Sequence, residues 1–227
     1  MVAVNLGKNK TSLDHIDDYL VGLKKFKDLA DFIVINLSSP NTPGLRNLQS
    51  KDRLEELLSG IDSFLEKNSD KRPKILIKLA PDLSDDELKA VAKTAMKWSS
   101  RVVSGLIMGN TTVSRPESLQ SDPDLVSQAG GLSGKPLKEL STKKLARLYN
   151  YTGGRIPIIG AGGISTGRDA FEKVQAGASL VEVYSALVYE GPGLVHRVKT
   201  ELNEQLKAHG YKNIAEAVGT KASELAK

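Results

Sequence analysis

Four polar side chains stand at or near the ends of runs that are otherwise aliphatic. Asn5 follows Val2-Ala3-Val4, Asn36 follows Phe32-Ile33-Val34-Ile35, Lys78 sits within Ile75-Leu76-Ile77-Lys78-Leu79, and Asn110 lies just past Met108. A strand of a parallel sheet covered on both faces is apolar almost throughout, so these positions have to meet something polar. One buried Asn alone would read as a satisfied structural amide, but four polar residues at corresponding positions point beyond that. An interior lysine is seldom buried without an anionic partner. Lys78 therefore implies a carboxylate, a phosphate or an electron-rich ring system. A second chemistry is written in Ile159-Gly160-Ala161-Gly162-Gly163-Ile164-Ser165 and in Val183-Tyr184-Ser185. Backbone N–H groups laid open by glycine and followed by a helix start suit a phosphate. Gly130-Gly131-Leu132-Ser133-Gly134-Lys135 reads as a loop over the same region. It lacks P-loop spacing. The Gly160 run is no dinucleotide fingerprint either, because Ser165 takes the place of its last glycine or alanine.

The elements that must carry these residues follow from periodicity. Short β-branched runs at Val2–Leu6, Phe32–Leu37, Ile75–Leu79, Gly105–Met108, Ile156–Ile159 and Leu180–Tyr184 read as strands. Amphipathic patterns near Leu13–Phe26, Arg53–Lys67, Asp85–Lys97, Thr142–Tyr149, Arg168–Ala176 and Leu194–His209 read as helices between and after them. Ser84 with Glu87 three residues on forms a capping box. Strict alternation of strand and helix predicts a parallel sheet with crossover helices in one domain. Along Phe32–Leu37 the residues Ile33, Ile35 and Leu37 share one face, so Asn36 lies on the other with Val34. The same alternation places Lys78 with Leu76, and the two polar residues are expected to point together into a barrel. The segments Ser38–Asp52 and Thr111–Leu140 are long for βα loops and follow strand ends, where α/β folds carry their sites.

Composition narrows the class. In 227 residues, 40% are hydrophobic and 26% charged, which excludes disordered and fibrous chains. No apolar run approaches the ~20 residues of a membrane-spanning helix. The absence of cysteine excludes disulfides, thiolate metal sites and a cysteine nucleophile. His15, His196 and His209 have no metal-ligand spacing, so no metal is expected. The net charge of +5 is mildly basic and suits a small anionic ligand as well as it does nucleic acid. Lys24-Lys25 and Lys143-Lys144 read as solvated helix faces without interleaved aromatics, so no nucleic-acid partner is expected.

The stretch Asn36-Leu37-Ser38-Ser39-Pro40-Asn41-Thr42-Pro43-Gly44-Leu45-Arg46 resembles the dihydroorotate dehydrogenase family. The likeness extends through Asn5–Lys10, Lys78-Leu79-Ala80-Pro81-Asp82, Asn110-Thr111-Thr112-Val113, Gly130–Leu137 and Gly160–Ser165. It implies an α/β fold, a TIM (β/α)8-type barrel, of which this chain holds about six of the eight βα units. It also implies an FMN cofactor and oxidation of dihydroorotate to orotate in pyrimidine (UMP) biosynthesis. Serine at position 39 points to the quinone-reducing class 2, with ubiquinone as electron acceptor. The resemblance makes Ser39 the catalytic base, and Asn36, Asn41, Asn110 and Thr111 the substrate-binding residues. It places Asn5 and Lys78 against the flavin, and Ser133, Gly134, Gly162, Gly163, Tyr184 and Ser185 around the FMN phosphate. Gly109 departs from the pattern, since the family has Thr or Ser there, and one hydroxyl near flavin and substrate is lost. Residues 1–227 are expected to form the FMN-binding barrel domain without its first two strands and without the N-terminal quinone-tunnel helices. Membrane association would then come only through that N-terminal part, and the location would be the mitochondrial inner membrane. Weak or absent flavin binding is expected of the chain alone. Two alternatives stay open at this point: a non-catalytic fragment or isoform of the same family, and another phosphate-binding barrel such as a lyase using Lys78 as a Schiff-base amine.

Overall fold

A computed structural model describes residues 1–12, 14–68, 72–117 and 119–227. The strands are β1 (Ala3–Leu6), β2 (Phe32–Asn36), β3 (Ile75–Leu79), β4 (Val103–Met108), β5 (Ile158–Ala161) and β6 (Leu180–Glu182). The helices are α1 (Asp17–Phe26), α2 (Lys51–Asn68), α3 (Asp85–Trp98), α4 (Pro123–Ser127), α5 (Lys138–Thr152), α6 (Gly167–Gln175), α7 (Ser185–Glu190), α8 (Gly193–Ala208), α9 (Ile214–Ala217) and α10 (Ala222–Leu225). All strands run parallel in the order β1-β2-β3-β4-β5-β6, with helices crossing over between neighbours. The result is a curled half-barrel rather than a closed one, and β1 and β6 form its edges.

Local chemistry accounts for the element ends. Ser84 caps α3 by accepting from the Glu87 N–H, while the Glu87 carboxylate accepts from the Ser84 N–H. Thr166 and Asp169 repeat this reciprocal cap on α6. Most boundaries differ from the sequence expectation by one to four residues, and three have a clear local cause. β5 starts at Ile158 instead of Ile156, because Pro157 can accept from Leu106 N–H but has no N–H to give. β6 stops at Glu182 because Tyr184, at φ −139 and ψ −72, has already left the extended conformation to start α7. α5 begins four residues before Thr142, fed by a 3-10 turn at Lys135–Leu137 that carries Pro136. The expected start of the first helix at Leu13 lies outside the described residues, and α1 begins at Asp17.

Two apolar layers follow from strand alternation. The larger core packs Ile33, Ile35, Leu37, Ile75, Ile77, Leu79 and Leu106 of the sheet against Leu54, Leu57, Leu58, Ile61, Leu88 and Val91 of α2 and α3. The smaller fills the concave face with Val34, Ile107, Ile159 and Ala161, flanked by Phe32 and Leu76. Asn36 and Lys78 are register partners across β2 and β3, level with each other at the C-terminal rim of that concave layer. The expected shared orientation of the two residues is therefore present. Apolar packing below and open rim above is the arrangement that lets a parallel barrel carry polar chemistry at one end only.

Candidate functional site at the carboxyl ends of the strands

A cavity of about 490 Å³ opens at this rim. Eleven of the thirteen residues singled out in the sequence line it: Asn5, Asn36, Lys78, Asn110, Thr111, Ser133, Gly134, Gly162, Gly163, Tyr184 and Ser185. Ser39 and Asn41 are not in its lining. They lie on the β2–α2 loop, where the Asn41 N–H donates to Ser39 Oγ at 3.3 Å.

The amides are locked by one another. Asn36 Oδ1 accepts from the Ser38 N–H at 3.1 Å and the Ser38 hydroxyl at 2.9 Å, and from Asn110 Nδ2 at 3.4 Å. Asn110 Nδ2 also donates to Ser38 Oγ at 2.8 Å, and its Oδ1 accepts from the Thr111 N–H at 2.7 Å. The buried Tyr19 hydroxyl donates to the Asn36 carbonyl at 2.9 Å and holds the end of β2 from behind. Ser38, fully buried, is thus the hinge of the network, a role that nothing in its residue type announced.

One guanidinium ties three loops together. Arg46 Nε donates to the Ser38 carbonyl at 3.1 Å, one terminal nitrogen to Asp82 at 2.8 Å, and the other to the Thr111 carbonyl at 3.0 Å. Asp82 in turn accepts from the Thr112 and Ser114 hydroxyls. Arg46 and Asp82 close the stretches Asn36–Arg46 and Lys78–Asp82, and nothing in their spacing points to this role.

The opposite wall is a glycine-rich turn. Gly134, Gly162 and Gly163 have φ of +83, +97 and +75, where side chains are strained. A Cβ on Gly163 would fall 2.5 Å from Lys138 Cα, so the turn lies directly on the start of α5. Ser185 at the start of α7 donates to Ser133 Oγ at 2.9 Å and closes the loop over the turn. Behind it, Ser141 Oγ lies 3.1 Å from the Gly162 carbonyl, and the fully buried Lys173 ammonium donates to Ser141 Oγ. Burial, with the nearby Lys138 charge, brings Lys173 down to about 7 against the pull of Asp169 and Glu172. Burial also works to raise Asp169, but Lys138 and the donors of Ser165 and Thr166 outweigh it and hold the carboxyl at about 2.

Lys78 finds its anion inside the protein. Its Nζ lies 2.9 Å from Glu182 Oε2 at the end of β6, across the concave face. Glu182 is not among the residues the sequence points to: it is a carboxylate closing the apolar pair Leu180-Val181, within a run expected to continue as a strand to Tyr184. Gly109 is explained by space: at φ +121, a Cβ would meet the Ala161 carbonyl at 2.4 Å.

Fold and site together define an α/β half-barrel with a glycine-rich turn and an amide-lined mouth at the carboxyl ends of its strands. The chain belongs to the dihydroorotate dehydrogenase family, whose sequence model matches residues 1–206. It is 52% identical over 222 residues to the dihydroorotate dehydrogenase (quinone) of Xanthobacter autotrophicus, covering 96% of this chain and 61% of that protein. It is 48% identical over 221 residues to the mitochondrial dihydroorotate dehydrogenase (quinone) of Mus musculus, covering 96% of this chain and 54% of that one. Among solved structures, the ligand-free type DHODH from Eimeria tenella superposes with a TM-score of 0.90 at 43% identity, covering 96% of this chain and 63% of that one. The chain spans about 60% of the length of the first three curated relatives.

Proposed function

We propose that this chain carries the flavin- and substrate-binding part of an FMN-dependent, quinone-reducing dihydroorotate dehydrogenase of pyrimidine biosynthesis. The observation that carries the reading is the joining of the Asn36–Asn110 amide network, the Lys78 ammonium and the glycine turn in one cavity. That volume lies within the range of small-molecule sites. FMN fits the donor set on two counts: a cramped glycine turn at Gly162-Gly163 for a phosphate, and a cation at Lys78 for a ring edge that becomes electron-rich.

The chemistry that a flavin supplies when bound is two-electron acceptance, here hydride from dihydroorotate, with onward transfer to ubiquinone. The chain's own residues bind and orient. Gly134, Gly162, Gly163, Ser133, Tyr184 and Ser185 hold the phosphate end, and Asn5 and Lys78 hold the ring. Asn36, Asn110 and Thr111, with Asn41 from the loop above, grip the pyrimidine and fix which face it presents. Ser39 takes the proton from C5 of the substrate. The Asn41 N–H that points at its Oγ favours the more anionic oxygen, which is what a weakly basic hydroxyl needs. Substrate entering from the mouth would carry its C5 proton to the β2–α2 loop, so this loop has to fold over the cavity for turnover.

The quinone site and the membrane attachment belong, in this reading, to sequence outside residues 1–227. No helix among the described residues is long and apolar enough to cross a membrane. A mitochondrial inner-membrane location accords with the mitochondrial relatives, among them those of mouse and Oryza sativa. Bacterial relatives match as well.

Supplying the purified chain with FMN and dihydroorotate, and following orotate formation with a redox dye, tests the reading. Orotate that appears with wild type and is lost with Ser39→Ala supports it. Bound flavin without orotate would mean that these residues keep the fold without the turnover.

A further inference from the structure

Lys78 and Glu182 are the two charged side chains among the described residues that line the cavity. They come from strands three places apart in the sheet and meet across its concave face at 2.9 Å. Neither is sealed from solvent, with side-chain exposures of 22% and 37%. A pair of this kind contributes little to stability on its own. Its placement is what matters. Lys78 has three N–H donors, and a ligand anion reaching them has to share them with a carboxylate already in hydrogen-bond contact. The carboxylate also repels any negative charge that forms beside Lys78, in a cavity where charges are screened less than in water. The cavity's net charge from these side chains is therefore zero rather than +1.

We infer that Glu182 is a specificity-determining residue of the flavin site: by counterbalancing Lys78, it weakens the site's preference for an anionic, reduced ring over a neutral, oxidised one. The inference rests on the flavin reading above and adds to it the residue that sets how strongly the site favours the reduced state. Charge placed near a flavin ring is a direct control on its electronics. Glu182 sits on an edge strand and contacts Lys78 through one oxygen. It can thus be altered without disturbing either apolar layer.

The competing explanation is that Glu182 merely pins β6 to β3. Two substitutions separate the roles. Glu182→Gln keeps the shape and an oxygen acceptor for Lys78 but removes the charge; Glu182→Ala removes both. The experiment is an anaerobic titration of wild type and both variants with oxidised FMN and with dithionite-reduced FMN, and the same with riboflavin. Thermal unfolding checks that each variant is folded. Glu182→Gln is expected to tighten reduced FMN about tenfold more than oxidised FMN, equivalent to a rise of about 30 mV in the two-electron midpoint potential. Riboflavin should show the same ratio, because the effect acts at the ring and not at the phosphate. A reduced-to-oxidised affinity ratio unchanged in Glu182→Gln overturns the inference. A loss of affinity for both states in Glu182→Ala, with Glu182→Gln like wild type, assigns the residue to pinning and overturns it too. If none of the proteins binds either state saturably up to about 1 mM, the flavin reading fails and takes the inference with it. That result is distinct from wild type and Glu182→Gln binding alike.

Discussion

Lys173 and Asp169 stand four residues apart on α6, behind the glycine turn, and titrate in opposite senses. Lys173 is lowered to about 7 from an ordinary 10.5. Between those two values the unfolded chain holds a proton that the folded chain does not, so this residue makes stability rise with pH from 7 to 10.5. Urea midpoints measured across that range should rise more steeply for wild type than for Lys173→Met. Parallel slopes would contradict the account. Asp169 is depressed to about 2 from 3.8, so its contribution is present above pH 3.8 and lost as pH falls toward 2. For a carboxyl this enclosed the contribution is about 2 kcal/mol. Asp169→Asn should lower the stability at pH 7 by about that amount and flatten the acid limb of the urea midpoints. An acid limb as steep as that of wild type would count against it. Lys78 was readable from the sequence because a charge inside a strand of β-branched neighbours breaks a rule. Lys173 was not, because a lysine on a helix normally faces water. Its burial comes from packing inward against α5 and β5, where its ammonium reaches the Lys138 carbonyl and Ser141 Oγ and its Cβ lies beside Gly160.

Among elements, the loops after β2, β3 and β4 depend on Arg46 and Asp82. Arg46→Ala takes the guanidinium from the Ser38 and Thr111 carbonyls and leaves the half-buried Asp82 carboxylate with only its neutral donors, at a cost of about 2 kcal/mol. Hydrogen exchange should quicken in residues 38–47 and 111–114 and stay unchanged in β5 and β6. Uniform acceleration across the sheet would argue against a local tie. The six strands and the six long helices were visible in the sequence, since each has its own period. The short helices α4, α7, α9 and α10 were not, because four to six residues hold too few turns to display one. The Arg46 tie was hidden for another reason: its partners are main-chain carbonyls, which carry no residue identity. The same holds for the position of Ser39 and Asn41 outside the cavity lining, which depends on how the Pro40–Pro43 turn bends rather than on the residues it contains.

At the scale of the whole molecule, the sheet of residues 1–227 ends in two unpaired edges, and apolar side chains crowd one of them. Leu180 on β6 is 61% exposed, and Tyr184, Val188 and Tyr189 just beyond it are more so. Exposed edges of this kind pair with other chains. Sedimentation should therefore show association that rises with concentration and falls in Leu180→Lys; a monomer at all concentrations would contradict this. An open rim also leaves one side of the proposed flavin site unwalled, so the expected affinity is modest. The fold class and most of the cavity were legible in the sequence because a parallel barrel concentrates its polar exceptions at one end. The Lys78–Glu182 contact was not, since it arises only from the curl that brings β6 over β3. The central claim is that this cavity holds the phosphate at the glycine turn and the flavin ring at Lys78. Fluorescence titration of the purified chain with FMN and with riboflavin tests it most directly. The account predicts weak saturable binding of FMN, about tenfold tighter than riboflavin and weakened in Lys78→Met; equal binding of the two flavins, indifferent to that substitution, would contradict it.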